Sequence, residues 1–188
     1  MSEAIRQLVR ALACGVFVAF ALTAQAAERV RLGDWSKIES ERYGFLIAYP
    51  GNVFAPRDGA PAEDGQVLVS RDGGARLLVA AFENDAGASL MEYRQQILSE
   101  NYDGADIDYA PVRKGWFVVS GTRGSMHFYE RVSFTCGGRL INSWALLYPV
   151  AERPFYDRVV EAIARTYSPG AGHDGSCDPS MAPNPPSN

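Results

Sequence analysis

Strand-like patterns of apolar and polar positions recur over residues 43–148, with one stretch of helical spacing inside that range and a second after it. Tyr43-Gly44-Phe45-Leu46-Ile47-Ala48-Tyr49 places Phe45, Ile47 and Tyr49 on one face of a strand that Pro50-Gly51 stops. Residues 66–71 and 75–82 flank Asp72-Gly73, the pattern of a tight hairpin. The second of these runs is apolar on both faces, which predicts a central strand covered on both sides. Ser89 with Glu92 three positions on makes a capping box, and Leu90, Tyr93, Ile97 and Leu98 follow at helical spacing. Four further strands are predicted over 107–113 (held to an edge by Pro111), 116–120, 126–136 and 139–148. Pro154 opens a last helix with Phe155, Val159, Ile163 and, at its end, Tyr167 as its buried stripe, and Ser168-Pro169-Gly170 stops it.

The order is β-ββ-α-ββββ-α. With strands in succession and helices set between and after them, it predicts an α+β fold: a twisted antiparallel sheet of about six strands with helices packed on it. This single domain is expected over residues 27–168. Before it, Arg6 and Arg10 precede a short apolar run over 11–22 and then Ala24-Gln25-Ala26, the grammar of a secretory leader cut after residue 26 or 27. The run is well short of the ~20 residues that a membrane-crossing helix needs, so no stable membrane anchor is expected after cleavage. After it, residues 169–188 are rich in Gly, Pro and Ser and read as a tail without a core of its own.

Charge and cysteines then narrow the setting. The net charge of −4 is interspersed rather than clustered, which argues against a nucleic-acid binder. Export places the chain in the periplasm or outside the cell, where thiols oxidise. Cys14 leaves with the leader; Cys136 and Cys177 remain and are expected to pair as a structural staple on the tail. The alternatives for these two are a redox pair, usually seen as C-x-x-C, or metal ligands, for which no histidine stands at ligand spacing near Cys136.

Several of these pieces together resemble the PsbP-like fold family, whose architecture is shared with the Ran-binding Mog proteins. They are residues 43–50, the Asp72-Gly73 hairpin, the capped helix at Ser89, Trp116-Phe117-Val118-Val119-Ser120-Gly121, Phe128-Tyr129-Glu130, Tyr148-Pro149 and the final amphipathic helix. The resemblance covers most of residues 43–168 and implies an architecture and a non-catalytic role in binding proteins. It transfers no site residue.

Candidate chemistry is sparse. Ser120 and His127 fall on neighbouring strands of one hairpin and can meet, but the surroundings lack the G-x-S-x-G elbow of a serine hydrolase. Asp103, Asp106 and Asp108 lack the order and the distal glutamate of a calcium loop and read as solvated loop acids. No cofactor motif is present. Tyr49, Trp116, Phe117, Tyr129, Trp144 and Tyr148 can line a groove or fill the sheet core. Arg123, His127, Tyr129 and Arg131 form the candidate binding surface, facing a protein partner or a small ligand. A hydrolase built on Ser120 and His127, and an envelope structural or stress protein, are the alternative readings.

Overall fold

The computed structural model describes residues 32–57, 65–171 and 177. The leader expected over 1–26 lies outside the described residues, as do 172–176 and 178–188 of the expected tail. The elements below belong to the unit Gly33–Asn188.

The fold is α+β, as the pattern of elements predicts, with more strands than about six. β1 (Trp35–Glu39) pairs with β2 (Leu46–Pro50) as a two-stranded ribbon. An eight-stranded antiparallel sheet is built from β3 (Phe54–Pro56), β4 (Gly65–Ser70), β5 (Arg76–Glu83), β6 (Asp106–Tyr109), β7 (Val112–Arg113), β8 (Trp116–Arg123), β9 (Met126–Thr135) and β10 (Leu140–Pro149). Its spatial order is β3-β4-β5-β10-β9-β8-β6, with β7 also on β8. The extra strands are those with the weakest apolar signal. β1 is almost wholly exposed, β3 is three residues long and ends in Pro56, and Pro111 splits the predicted 107–113 strand into β6 and β7.

Helix α1 (Leu90–Glu100) starts at Ser89 with both halves of the capping box closed. It lays Ile97 against Phe117, Val119, Phe128, Val132 and Ile141 on one face of the sheet. Helix α2 (Arg153–Thr166) covers the other face, burying Tyr156, Val159, Val160, Ala162 and Ile163. Tyr156 takes the inward place expected for Phe155; its ring stands 5.1 Å from that of Tyr148 and 6.3 Å from that of Phe54. The β2 strand and the residue before it join that layer through Phe45, Ile47 and Tyr49, all buried.

β5 lies between β4 and β10, the interior place expected for it, but it is not covered on both sides. Leu78 is 37% exposed, because α1 packs over the β8–β9–β10 end of its face and leaves the β4–β5 end open.

Past α2 the chain returns to the sheet. Ser168 exchanges backbone hydrogen bonds with Leu46 at 2.8 and 2.9 Å. Gly170 is buried: its N–H donates to Asn142 Oδ1 at 2.8 Å and its carbonyl accepts from the Thr135 hydroxyl at 2.6 Å. A disulfide joins Cys136 to Cys177, with 5.2 Å between their Cα atoms.

Candidate functional site

β8 and β9 form a hairpin whose turn holds Gly124 at φ +61°, a conformation that glycine adopts without penalty. Register through this hairpin is unbroken, so side-chain direction follows strictly from alternation. Phe117, Val119, Phe128 and Val132 face α1; Trp116, Ser120, Thr122, His127, Tyr129, Arg131 and Ser133 face the α2 side. On β10 the cross-strand partners of His127, Tyr129, Arg131 and Ser133 are Tyr148, Leu146, Trp144 and Asn142. Three of the four residues expected to form a binding surface, His127, Tyr129 and Arg131, are thus brought together. Arg123 is not: its Nη1 donates to the Asn101 carbonyl at 3.1 Å, closing the C-terminal end of α1 on the opposite face. Of the aromatic residues, Trp116, Tyr129, Trp144 and Tyr148 share the α2 side, whereas Phe117 belongs to the α1 core.

At one end of this face His127 is 2% exposed and clasped between two hydroxyls. Ser120 Oγ lies 3.2 Å from Nε2 and Thr122 Oγ1 lies 3.3 Å from Nδ1. Burial, and after it the charge of Arg153, holds the His127 pKa below its ordinary value; Asp108 and Asp157 oppose this. A neutral ring is then the stable form. It donates to one hydroxyl and accepts from the other. The clasp continues outward, with the Tyr148 hydroxyl donating to Asp157 Oδ1 at 2.6 Å and Arg153 standing 3.7 Å from both Asp157 and Asp108. Asp108, placed by the sequence in an acidic loop cluster, is here an ion-pair partner that ties the edge strand β6 to α2. A serine nucleophile needs a carboxylate or equivalent group orienting its histidine and a solvent path to its oxygen. Here Thr122 occupies the orienting position and Ser120 is buried.

Toward the other end of the same face the surroundings are aromatic and half open. The Arg131 guanidinium carbon stands 4.6 Å over the Trp116 ring and 5.9 Å from the Tyr167 ring. Trp144, fully buried, lies 5.1 Å from Tyr129 and 6.1 Å from Tyr167. None of the ion pairs among the described residues includes Arg131. Burial raises the hydroxyl pKa of both Tyr129 and Tyr167, and Arg131 pulls each partly back. At the rim, Tyr109 of β6 is 57% exposed.

Sequence reasoning missed Ser133 and Tyr167 as members of this group. Ser133 was legible, since it sits two positions beyond Arg131 and so on the same face. The helical stripe turns Tyr167 inward, but its place beside Arg131 and Trp144 comes from how α2 packs, which the sequence does not specify.

No protein-family model and no curated protein matches the chain. Solved structures share its architecture. The solution structure of the cyanobacterial PsbP protein CyanoP from Synechocystis sp. PCC 6803 aligns with a TM-score of 0.53 at 13% identity, over 74% of this chain and 95% of that one. The Ran-binding protein Mog1p of Saccharomyces cerevisiae aligns with a TM-score of 0.51 at 10% identity, over 79% of this chain and 98% of that one. The chain therefore has the fold common to PsbP and Mog1, as the sequence resemblance implies.

Proposed function

We propose that this chain is an exported, non-catalytic binding domain, and that it takes its partner or ligand on the β8–β9 face around Arg131. The observation that carries the reading is a half-buried guanidinium that lies over Trp116 and, among the described residues, joins no ion pair. An uncompensated charge in such a place is costly unless something outside the chain answers it. The fold supports the reading too, because the yeast neighbour binds a protein, Ran. Export rests on the leader pattern and the Cys136–Cys177 bridge, which suits an oxidising compartment. The domain proper then runs over 27–168, with 169–188 as its stapled extension.

The test is a nuclear magnetic resonance experiment on 15N-labelled protein placed in unlabelled envelope extract. Shifts confined to residues 116–135 and Tyr109, and abolished in Arg131→Gln, support the reading. Shifts on the α1 side around Met91, or none, overturn it. N-terminal sequencing of the protein recovered from the envelope tests the leader; an N-terminus at Met1 removes it.

A further inference from the structure

Among the described residues, four buried polar atoms in one small neighbourhood of this face lack a well-formed hydrogen bond: Arg131 Nε, Ser133 Oγ, Trp144 Nε1 and Tyr167 OH. Buried polar groups in folded proteins are almost always satisfied, so such a cluster calls for an explanation. Their closeness follows from independent observations. Arg131 and Trp144 are direct cross-strand partners, and Ser133 is the next residue of β9 on that face. Tyr167 lies within ring-contact distance of both Arg131 and Trp144. The Ser133 hydroxyl is near enough to act on the Tyr167 hydroxyl through a weak, poorly aligned hydrogen bond, which lowers its pKa against the effect of burial, so of the four the groups wholly without a partner among the described residues are Arg131 Nε and Trp144 Nε1.

The chemistry of the set is one-sided. The Arg131 Nε–H and Trp144 Nε1–H donate and cannot accept, and the two hydroxyls can turn their protons toward the same acceptor. The guanidinium lies over the Trp116 face, an arrangement that leaves its in-plane N–H groups available. Trp116, Tyr129, Trp144 and Tyr167 surround it with flat apolar surface. We infer that this neighbourhood is a binding site for a small carboxylate carried on a flat apolar body, with Arg131, Trp144, Ser133 and Tyr167 donating to the carboxylate. Trp144 is fully buried, Ser133 is 4% exposed and all four polar atoms are shielded from solvent, so a ligand reaches them only where the half-buried Arg131 and Tyr167 side chains give way to a slender group. That favours a free small molecule over a broad protein surface. The inference rests on the reading that this face is the binding surface, and narrows it to one ligand chemistry.

The probe is benzoate, with benzyl alcohol as its neutral counterpart and N-acetylglutamate N-methylamide standing in for an acidic side chain of a protein partner. The readout is the indole N–H resonance of Trp144, assigned with a Trp144→Phe variant. Benzoate is expected to shift it saturably and benzyl alcohol is not. Arg131→Gln should weaken the benzoate response roughly tenfold or more, and Ser133→Ala should weaken it more modestly in a protein whose fold is intact. Arg123→Gln, on the opposite face, should leave it unchanged. No saturable shift with benzoate means that the four groups are met by water alone and overturns the inference. An equal response to benzyl alcohol overturns it as well, as does binding of the capped glutamate without benzoate. In each of these cases the extract experiment above can still give shifts at 116–135, so the failure of the ligand class and the failure of the binding face are told apart.

Discussion

The Tyr102 hydroxyl donates to Glu130 Oε2 at 2.7 Å, fastening the loop after α1 to the middle of β9. Ser143 Oγ donates to the other carboxylate oxygen at 2.8 Å, and the Tyr102 ring stacks on Phe128 at 4.1 Å. Glu130 is the buried carboxylate of the α1 face, and burial raises its pKa above the ordinary 4.5 while the two hydrogen bonds oppose the rise. A pKa raised by folding means that the native state binds the proton more tightly than the unfolded state does. The stabilising share of Glu130 is therefore complete below its unfolded pKa and is lost as pH rises through the folded one. Glu130→Gln, which keeps both hydrogen-bonding positions, should match or exceed the native stability at pH 7 and lose the advantage on acidification. Glu130→Ala strands two hydroxyls and should cost about 1–3 kcal/mol. Urea unfolding of the three proteins between pH 4 and pH 8 checks both; a wild type and Glu130→Gln that run parallel throughout would sink the linkage.

His127 works with the opposite sign. Its pKa is depressed in the fold, first by burial and then by Arg153, so the unfolded chain takes up a proton at a pH where the native ring remains neutral. The stability it lends is present above the ordinary pKa of 6.5 and falls away as pH drops toward the folded value. His127→Gln should remove that part of the acid sensitivity. The check is the difference in unfolding midpoint between the two proteins at pH 7.5 and pH 5.5. A difference that does not change with pH contradicts a buried neutral ring.

Gly170 occupies a place where no side chain fits. A Cβ there would overlap the Tyr43 carbonyl and stand 2.8 Å from the Phe45 amide nitrogen. Gly170→Ala should destabilise by about 1–3 kcal/mol, the scale of overpacking in a filled core, whereas Gly33→Ala, with open space around it, should change little. Thermal unfolding of both variants measures this. Equal midpoints for the two would show that the 168–171 segment yields to the added methyl.

What was legible in the chain was mostly local. The capping box at Ser89 and the Asp72-Gly73 turn are each set by a few adjacent residues, and both are present as read. Alternation along β9 likewise foretold that His127, Tyr129 and Arg131 share a face. Illegible were the features set by distant packing. Leu78 looks like core from its neighbours, and only the placement of α1 leaves it open. Arg123 looks like a neighbour of Arg131, yet alternation over β8 sends it to the other side, where Asn101 receives it. Of the groove and the core, Trp144 takes the core, but its company with Arg131 depends on the β9–β10 register. The tie between Tyr148 and Asp157 was hidden because helical spacing puts Asp157 on the outer face of α2, where it is only partly buried.

The Cys136–Cys177 bridge closes a loop whose ends are 41 positions apart and which contains β10, α2 and the Gly170 contact. Cross-linking a loop of that length restricts the unfolded chain, and the loop-entropy relation puts the gain at about 4 kcal/mol. The native contacts of α2 with the sheet do not pass through the sulfurs, since Tyr156, Val159 and Ile163 are buried by their own packing. The paired replacement Cys136→Ser with Cys177→Ser should therefore fold with the same near-ultraviolet circular dichroism and unfold at clearly lower urea. Wild type treated with reductant should coincide with that variant. A double variant as resistant to urea as the oxidised protein would show that the bridge constrains nothing that the 168–171 contacts do not already hold.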